Sequence, residues 1–240
     1  MTSAATTAIP GQTPLSLAHI FGHELESRPK SQGAPIVFVV DDDLSVRESL
    51  ELLIRCEGWQ PETFPSAREF LTRPRPLVPS CLILDLALPD LNGLELQKVI
   101  AQERAEMPVI FMSGCGDIPT TVRAMKAGAV DFLVKPFGND VLLRAIRESL
   151  ERSRRTLDRE MEISDLRKCY ASLTPRERQV MALVVSGLLN KQVGAELDIS
   201  EITVKAHRGQ VMRKMKANSL ADLVRMAASL RPARQTIHLA

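Results

Sequence analysis

From Pro35 the chain alternates between short apolar, β-branched runs and longer stretches with helical spacing. The runs are IVFVV (36–40), QPETF (60–64, weakly patterned), CLILDL (81–86), VIFMS (109–113) and DFLV (131–134). Between them lie SVRESLELLIRCEG, SAREFLTRP, GLELQKVIAQ and TTVRAMKAGA, and DVLLRAIRESLERSRR follows the last. Strand–helix alternation with continuous apolar strands predicts a parallel sheet covered by helices on both faces. Five such units predict an α/β, doubly wound, five-stranded open sheet. The last helix has no apparent stop, since Val141 to Lys168 contains neither Pro nor Gly. Leu143, Ile146, Leu150, Leu157 and Met161 form a thin apolar stripe along it, a candidate surface for pairing with a second copy.

The tail reads as four helices. LTPRERQVMALVVSG opens with a capping box, Thr174 with Glu177, has Pro175 at its first helical position and ends at Gly187. NKQVGAEL, a tight DIS and EITVKAHRGQVMRKMK follow, and NSLADLVRMAASL closes with a second box, Ser219 and Asp222. Two helices joined by so short a turn predict a helix-turn-helix, whose second helix enters the major groove of DNA. Its buried face is expected to be Val193, Leu197, Ile199, Val204, Val211 and Met215. Thr203, Lys205, His207, Arg208 and Lys214 are expected on the opposite face, with Ala206 and Gly209 as small gaps that allow close approach to DNA. Residues 1–34, rich in Ser, Thr, Ala, Pro and Gly, are expected to be a mostly disordered extension. His19 and His23 share a helical face there but lack further ligands.

Charge sharpens this division. Residues 35–147 hold 12 basic and 16 acidic residues, a balance of −4. Residues 148–170 hold 6 of each, and residues 171–240 hold 11 basic against 5 acidic, a balance of +6. An acidic half and a basic tail predict two tasks, the second near a polyanion. With 45% hydrophobic and 25% charged residues, no membrane-length apolar run and no signal peptide, the sequence predicts a cytoplasmic protein without a membrane partner. Cys56, Cys81, Cys115 and Cys169 form no metal-ligand spacing and read as reduced thiols.

The first apolar run ends in Asp41, Asp42 and Asp43. In an open α/β sheet, ligands gather at the carboxyl ends of the strands. The third run delivers Asp85 to that edge, the fourth Ser113 and the fifth Lys135. Converging carboxylates repel unless a cation intervenes, and hard oxygen ligands suit Mg²⁺. A carboxylate beside a divalent cation, a lysine and a hydroxyl is equipped to take up a phosphoryl group, with Asp85 as the nucleophile.

On VVDDD, LILDLALPDLNGLEL, VIFMSGCGD and AMKAGAVDFLVKPF, the chain from Pro35 to about Arg155 resembles the receiver domain of bacterial two-component response regulators, the FixJ group above all. Ala171 to Leu230, through LTPRERQV, NKQVGAELDIS, TVKAHRGQVMRKM and SLADLVRMA, resemble the LuxR-type DNA-binding domain that follows FixJ and NarL receivers. The resemblance implies a flavodoxin-like strand order of 2-1-3-4-5 and a separate all-α domain; the uninterrupted helical pattern reads as a helical linker over 148–170 between them. It implies that a sensor histidine kinase phosphorylates Asp85. Asp42, Asp85 and the backbone carbonyl of Ala87 would bind Mg²⁺ directly, and Asp41 through water. Ser113 and Lys135 would contact the phosphoryl oxygens, the Lys135–Pro136 bond would be cis, and Phe132 would occupy an aromatic switch position, unless it serves only as core. Asp43 is left to the pocket's rim.

By the same resemblance Lys205, Ala206 and Gly209 lie on the base-reading face. Lys205 and Arg208 would read bases, with Thr203, Asn190 and Lys191 on phosphates. The expected function is a response regulator, a phosphoprotein that dimerises on phosphorylation, binds promoter DNA and regulates transcription, with RNA polymerase as a candidate partner and no enzymatic turnover. A haloacid-dehalogenase-type phosphatase would need a second Asp two residues after the nucleophile, where this chain has Ala87. A ligand-regulated factor would need an apolar cavity, of which 35–147 gives no sign.

Overall fold

The computed structural model describes residues 33–74, 76–114 and 116–230. The expected extension, His19, His23 and Cys115 lie outside the described residues or almost wholly so, since only Gly33 and Ala34 of the extension fall within them.

Strands β1 (Ile36–Val40), β2 (Gln60–Phe64), β3 (Ser80–Asp85), β4 (Val109–Ser113) and β5 (Asp131–Val134) form one parallel sheet in the order β2-β1-β3-β4-β5. β2 carries Pro61 and is an edge strand, where a missing N–H costs no ladder bond on an open side. Alternate residues of β1 feed two cores. Ile36, Phe38 and Val40 join Leu82, Leu84 and Phe111 on one face, and Val37 and Val39 join Ile83, Ile110 and Met112 on the other. The first face is covered by α2 (Ala67–Thr72) through Phe70, α3 (Gly93–Glu103) through Leu96 and Ile100, and α4 (Ile118–Lys126) through Ala124. The second is covered by α1 (Leu44–Cys56) through Leu50 and Ile54, and by α5 (Asn139–Ala171) through Leu142, Ala145, Ile146 and Leu150.

Helix α5 runs for 33 residues. The apolar stripe expected to pair with a second copy is largely spent within the chain. Ile146, Leu150 and Leu157 are buried, Leu143 is half-buried, and Met161 alone of the five stays exposed. The physical reason is that α5 does not leave the sheet at residue 147. Ser153 Oγ accepts a bond from the backbone N–H of Ser80 at 3.0 Å, inside the protein. Further along, Leu166 and Cys169 of the same helix pack on the core of the tail.

That core is built by α6 (Pro175–Val185), α7 (Asn190–Leu197), α8 (Glu201–Met215) and α9 (Leu220–Leu230), through Val180, Val184, Val193, Val204, Val211, Met215 and Leu223. Thr174 and Glu177 form the expected reciprocal box, with Thr174 N–H donating to Glu177 at 2.8 Å and Glu177 N–H donating to Thr174 at 3.2 Å. At the second expected box, Ser219 accepts from Asp222 N–H at 3.1 Å, while the Asp222 carboxylate turns to Arg225. α7 ends at Asp198, whose φ of 53° reverses the chain, and Ser200 caps α8. The turn is tight because Gly194 lets Ile199 approach. The Ile199 N–H donates to Gly194 O at 2.9 Å, and a Cβ on Gly194 would lie 2.7 Å from the Ile199 carbonyl oxygen.

Gly194→Ala therefore forces the turn open and is expected to destabilise the tail by about 1–3 kcal/mol. Gly209→Ala, where a Cβ meets nothing within 4 Å, is expected to stabilise α8 by up to about 1 kcal/mol. Urea unfolding followed by far-UV circular dichroism measures both.

Candidate functional site

The register of the sheet fixes the site. Val40 pairs with Leu84, Asp85 with Met112 and Ser113 with Val134, so Asp41, Asp85, Ser113 and Lys135 emerge together at the carboxyl edge. Asp41 and Asp85 are buried and Asp42 is exposed. Each offers a carboxylate oxygen, and these oxygens lie within 4.8 Å of one another. Three hard oxygen donors so close are a donor set suited to a small divalent cation.

Lys135 reaches into the pocket. Its Nζ donates to Asp41 Oδ2 at 2.8 Å and to Asp85 Oδ2 at 2.7 Å. Burial pushes the Asp41 carboxyl above the usual carboxylate range, and the Lys135 bond only partly offsets it. Burial alone would pull Lys135 down, but its bonds to Asp41 and Asp85 outweigh that and hold the amine above its ordinary value, firmly charged. Asp41 Oδ1 accepts the Asp43 N–H at 2.9 Å, and Asp85 Oδ1 accepts the Ala87 N–H at 3.1 Å. The Ala87 N–H thus turns toward Asp85, and its residue is exposed at the pocket mouth. The Lys135–Pro136 bond is cis. Ser113 is buried, and its carbonyl accepts the Lys135 N–H at 2.8 Å. Phe132 is half-buried, with its ring 6.1 Å from that of Phe111 and packed on the first-face core. Gly93 closes the loop after β3, where a Cβ would lie 2.7 Å from the Asp85 carbonyl oxygen.

Asp43, expected at the pocket's rim, is exposed beside the pocket and has a second task. It caps α1, accepting the Ser45 N–H at 2.8 Å, and its carboxyl is held low chiefly by the Ser45 hydroxyl. Two supporting residues escaped the sequence reading. Arg47 Nη1 donates to the carbonyls of Asp41 at 2.7 Å and Asp42 at 2.9 Å, tying the acidic loop to α1. A cation one turn into the helix after three aspartates was the available signal. Asp90, in the loop after β3, accepts from Arg68 N–H at 2.9 Å at the start of α2, and nothing in its local pattern distinguishes it from a surface loop residue. Cys81 is fully buried, which pushes its thiol up and leaves it unreactive.

In the tail, Lys191, Lys205, Ala206 and Gly209 are exposed, and Asn190, Thr203, His207 and Arg208 are half-buried. Arg208 Nη1 donates to Asn190 Oδ1 at 3.1 Å, fastening α8 to α7. Thr203 Oγ1 is 2.8 Å from Ser200 Oγ, and Lys205 pairs with Glu201 at 3.0 Å. Lys214 departs from expectation. Instead of facing outward it pairs with buried Glu177 at 2.6 Å, because α8 packs on α6 there.

Residues 37–147 match the family model described as the response regulator receiver domain, and residues 171–227 that of bacterial regulatory proteins of the luxR family. Nodulation protein W of Bradyrhizobium diazoefficiens is 52% identical over 195 residues, 81% of this chain and 86% of that one. The transcriptional regulatory protein FixJ of Azorhizobium caulinodans is 46% identical over 191 residues, 80% of this chain and 90% of that one. Among solved structures, the response regulator StyR is 46% identical and superposes with a TM-score of 0.73, covering 82% of this chain and 99% of that one.

The Lys214 bond also holds the Glu177 carboxyl below its ordinary range. A depressed folded value contributes stability above the ordinary carboxylate pKa and loses it as pH falls through the folded one. Glu177→Gln is thus expected to melt lower than the natural protein at pH 7, with the gap narrowing as pH falls below the ordinary carboxylate range. Thermal melts across that range test the sign.

Proposed function

Because the chain belongs to the two-component response regulators that join a receiver domain to a LuxR-type DNA-binding tail, and regulates transcription rather than catalysing a reaction, we propose that Asp85 is its phosphoryl acceptor. The observation that carries this is the clustering of the Asp41, Asp42 and Asp85 carboxylates within 4.8 Å of one another, with the Lys135 ammonium bonded to Asp41 and Asp85. We assign residues 35–147 to the receiver, 148–170 to a helical linker and 171–240 to DNA binding, with work on promoter DNA placing the protein in the cytoplasm. Among the described residues no helix is long and apolar enough to cross a membrane.

The Asp41, Asp42 and Asp85 carboxylates fit Mg²⁺; the ion would be held by Asp42, Asp85 and the Ala87 carbonyl, with Asp41 acting through a water. When bound, the ion neutralises charge on the phosphoryl oxygens. An Asp85 carboxylate oxygen attacks the phosphorus carried by the histidine of a partner kinase, and the P–N bond breaks with its electron pair returning to the imidazole. Lys135 exchanges its bond to Asp85 for one to the phosphoryl group, and the Ser113 hydroxyl donates to a second phosphoryl oxygen. Phosphorylation adds roughly −1.5 to −2 charges at one strand end. α4 and β5, with Phe132 between them and the core, respond as the two-state element. Ile118, Val122 and Met125 of α4 and Val134 of β5 are exposed large apolar residues, an apolar face suited to a second copy of the chain. A dimer presents two α8 helices to half-sites about one DNA turn apart, with Lys205 and Arg208 toward bases and Asn190, Lys191, Thr203 and His207 near the backbone. RNA polymerase is then within reach as a further partner.

Treated with acetyl phosphate and Mg²⁺, the natural protein is expected to be retarded on a phosphate-affinity gel and to double in mass by light scattering. Asp85→Asn, and the natural protein with a chelator present, are expected to do neither. Dimerisation of Asp85→Asn on the same treatment would place the switch elsewhere.

A further inference from the structure

One residue of α8 has no part in the contacts described so far. Ile202 is the second residue of the helix and is 80% exposed, the highest value among the large apolar residues described. An isolated exposed aliphatic residue is ordinary on a protein surface. The position of this one is not. Ile202, Lys205, Ala206 and Gly209 are spaced i, i+3, i+4 and i+7 and are all exposed, so they form a single outward stripe. The alternate face carries Val204, Val211 and Met215 into the core, which fixes the rotation of the helix. Outward in α8 is therefore the face presented to a groove. The first turn of such a helix lies closest to the base edges.

The stripe is poor in hydrogen-bonding groups. Ile202, Ala206 and Gly209 have no side-chain donor or acceptor, and the Lys205 ammonium is paired with Glu201 on its own helix. A surface with this chemistry cannot distinguish bases mainly by hydrogen bonds. The major groove displays one apolar feature, the 5-methyl group of thymine. A β-branched side chain in a helix is held in one main rotamer, so little side-chain freedom remains to be lost on contact.

We propose that Ile202 is a specificity-determining residue that packs on a thymine 5-methyl group in each half-site, with Ala206 one turn on leaving room for the base edge. The inference rests on the DNA-binding reading above and adds to it the class of base pair selected at one position. Lys205 and Arg208 supply charge, and Ile202 supplies the choice of an A·T pair in one orientation.

The test uses the full chain treated with acetyl phosphate and Mg²⁺. Duplexes enriched from a randomised pool are compared for the natural protein and Ile202→Ala, with circular dichroism verifying that the variant is folded. In the best duplex, each thymine is then replaced in turn by deoxyuridine, which lacks only the methyl group, and affinity is read by fluorescence anisotropy. The natural protein is expected to enrich a thymine at one position of each half-site and to lose about fourfold in affinity per half-site on its replacement, the worth of one buried carbon. Ile202→Ala is expected to bind the thymine duplex several-fold more weakly, to lose that enrichment and to be indifferent to the deoxyuridine. Enrichment by the natural protein with no sensitivity to any deoxyuridine overturns the inference and leaves the DNA-binding reading standing. So does an Ile202→Ala protein that retains the same deoxyuridine penalty, as a residue reserved for a protein partner would. Failure of the natural protein to enrich any duplex overturns both.

Discussion

The Lys135 ammonium, 2.8 Å from Asp41 and 2.7 Å from Asp85, is the interaction on which the receiver half depends. Asp41 is fully buried and Asp85 nearly so. Buried like charges at this spacing repel, and desolvation favours protonating one of them. A single cation reached from a third strand end bridges the two carboxylates and offsets part of that cost. It does so only while the sheet register holds, since Asp41, Asp85 and Lys135 sit at or just past the ends of β1, β3 and β5, with β4 between the last two. The pocket is a property of the parallel sheet rather than of any loop. In the proposed phosphorylation the same ammonium is freed to meet a phosphoryl oxygen, so the resting structure and the proposed modified one compete for one charge. That competition gives a local event leverage over β5, the strand that carries Lys135 at its end.

The second structural dependence is α5. One uninterrupted helix covers the sheet with Leu142, Ile146 and Leu150, meets β3 through Ser153 and Ser80, and enters the tail's core with Leu166 and Cys169. A helix of 33 residues is about 50 Å long at 1.5 Å per residue. It is anchored at both ends by burial, which leaves only its middle as independent linker. A change in how α5 lies on the sheet is therefore carried toward the tail by a stiff element.

Much of this was legible in the sequence because the relevant signals are periodic or chemical. Short apolar, β-branched runs located four strands and the weakly patterned QPETF the fifth, and the capping residues Thr174, Glu177 and Ser219 marked helix starts through chemistry that is local to one turn. The strand-end rule then brought Asp41, Asp85, Ser113 and Lys135 to one edge before any distance was known. What escaped is of two kinds, one local cap and contacts made only in the folded packing. Asp43 was grouped with its neighbours by charge, yet it is the residue at the strand–helix junction and is spent as a cap. Lys214 shares the helical face of the basic residues only on a wheel drawn without α6, which claims it through Glu177. The stripe on α5 pointed to a partner because periodicity reports that an apolar face is covered, not what covers it, and here the sheet does so.

The tail's composition explains why such a protein needs the receiver at all. The outward stripe of α8 offers few hydrogen-bonding groups to bases, so a single tail has little besides charge with which to hold DNA. Charge alone binds all sequences alike and weakens steeply with salt. Joining two tails makes engagement of the second half-site intramolecular, which raises affinity for correctly spaced sites without any new contact to a base. A reader with a sparse base-contacting face therefore gains most from dimerisation. On the proposed reading, phosphorylation at Asp85 controls DNA occupancy by changing only how many tails arrive together.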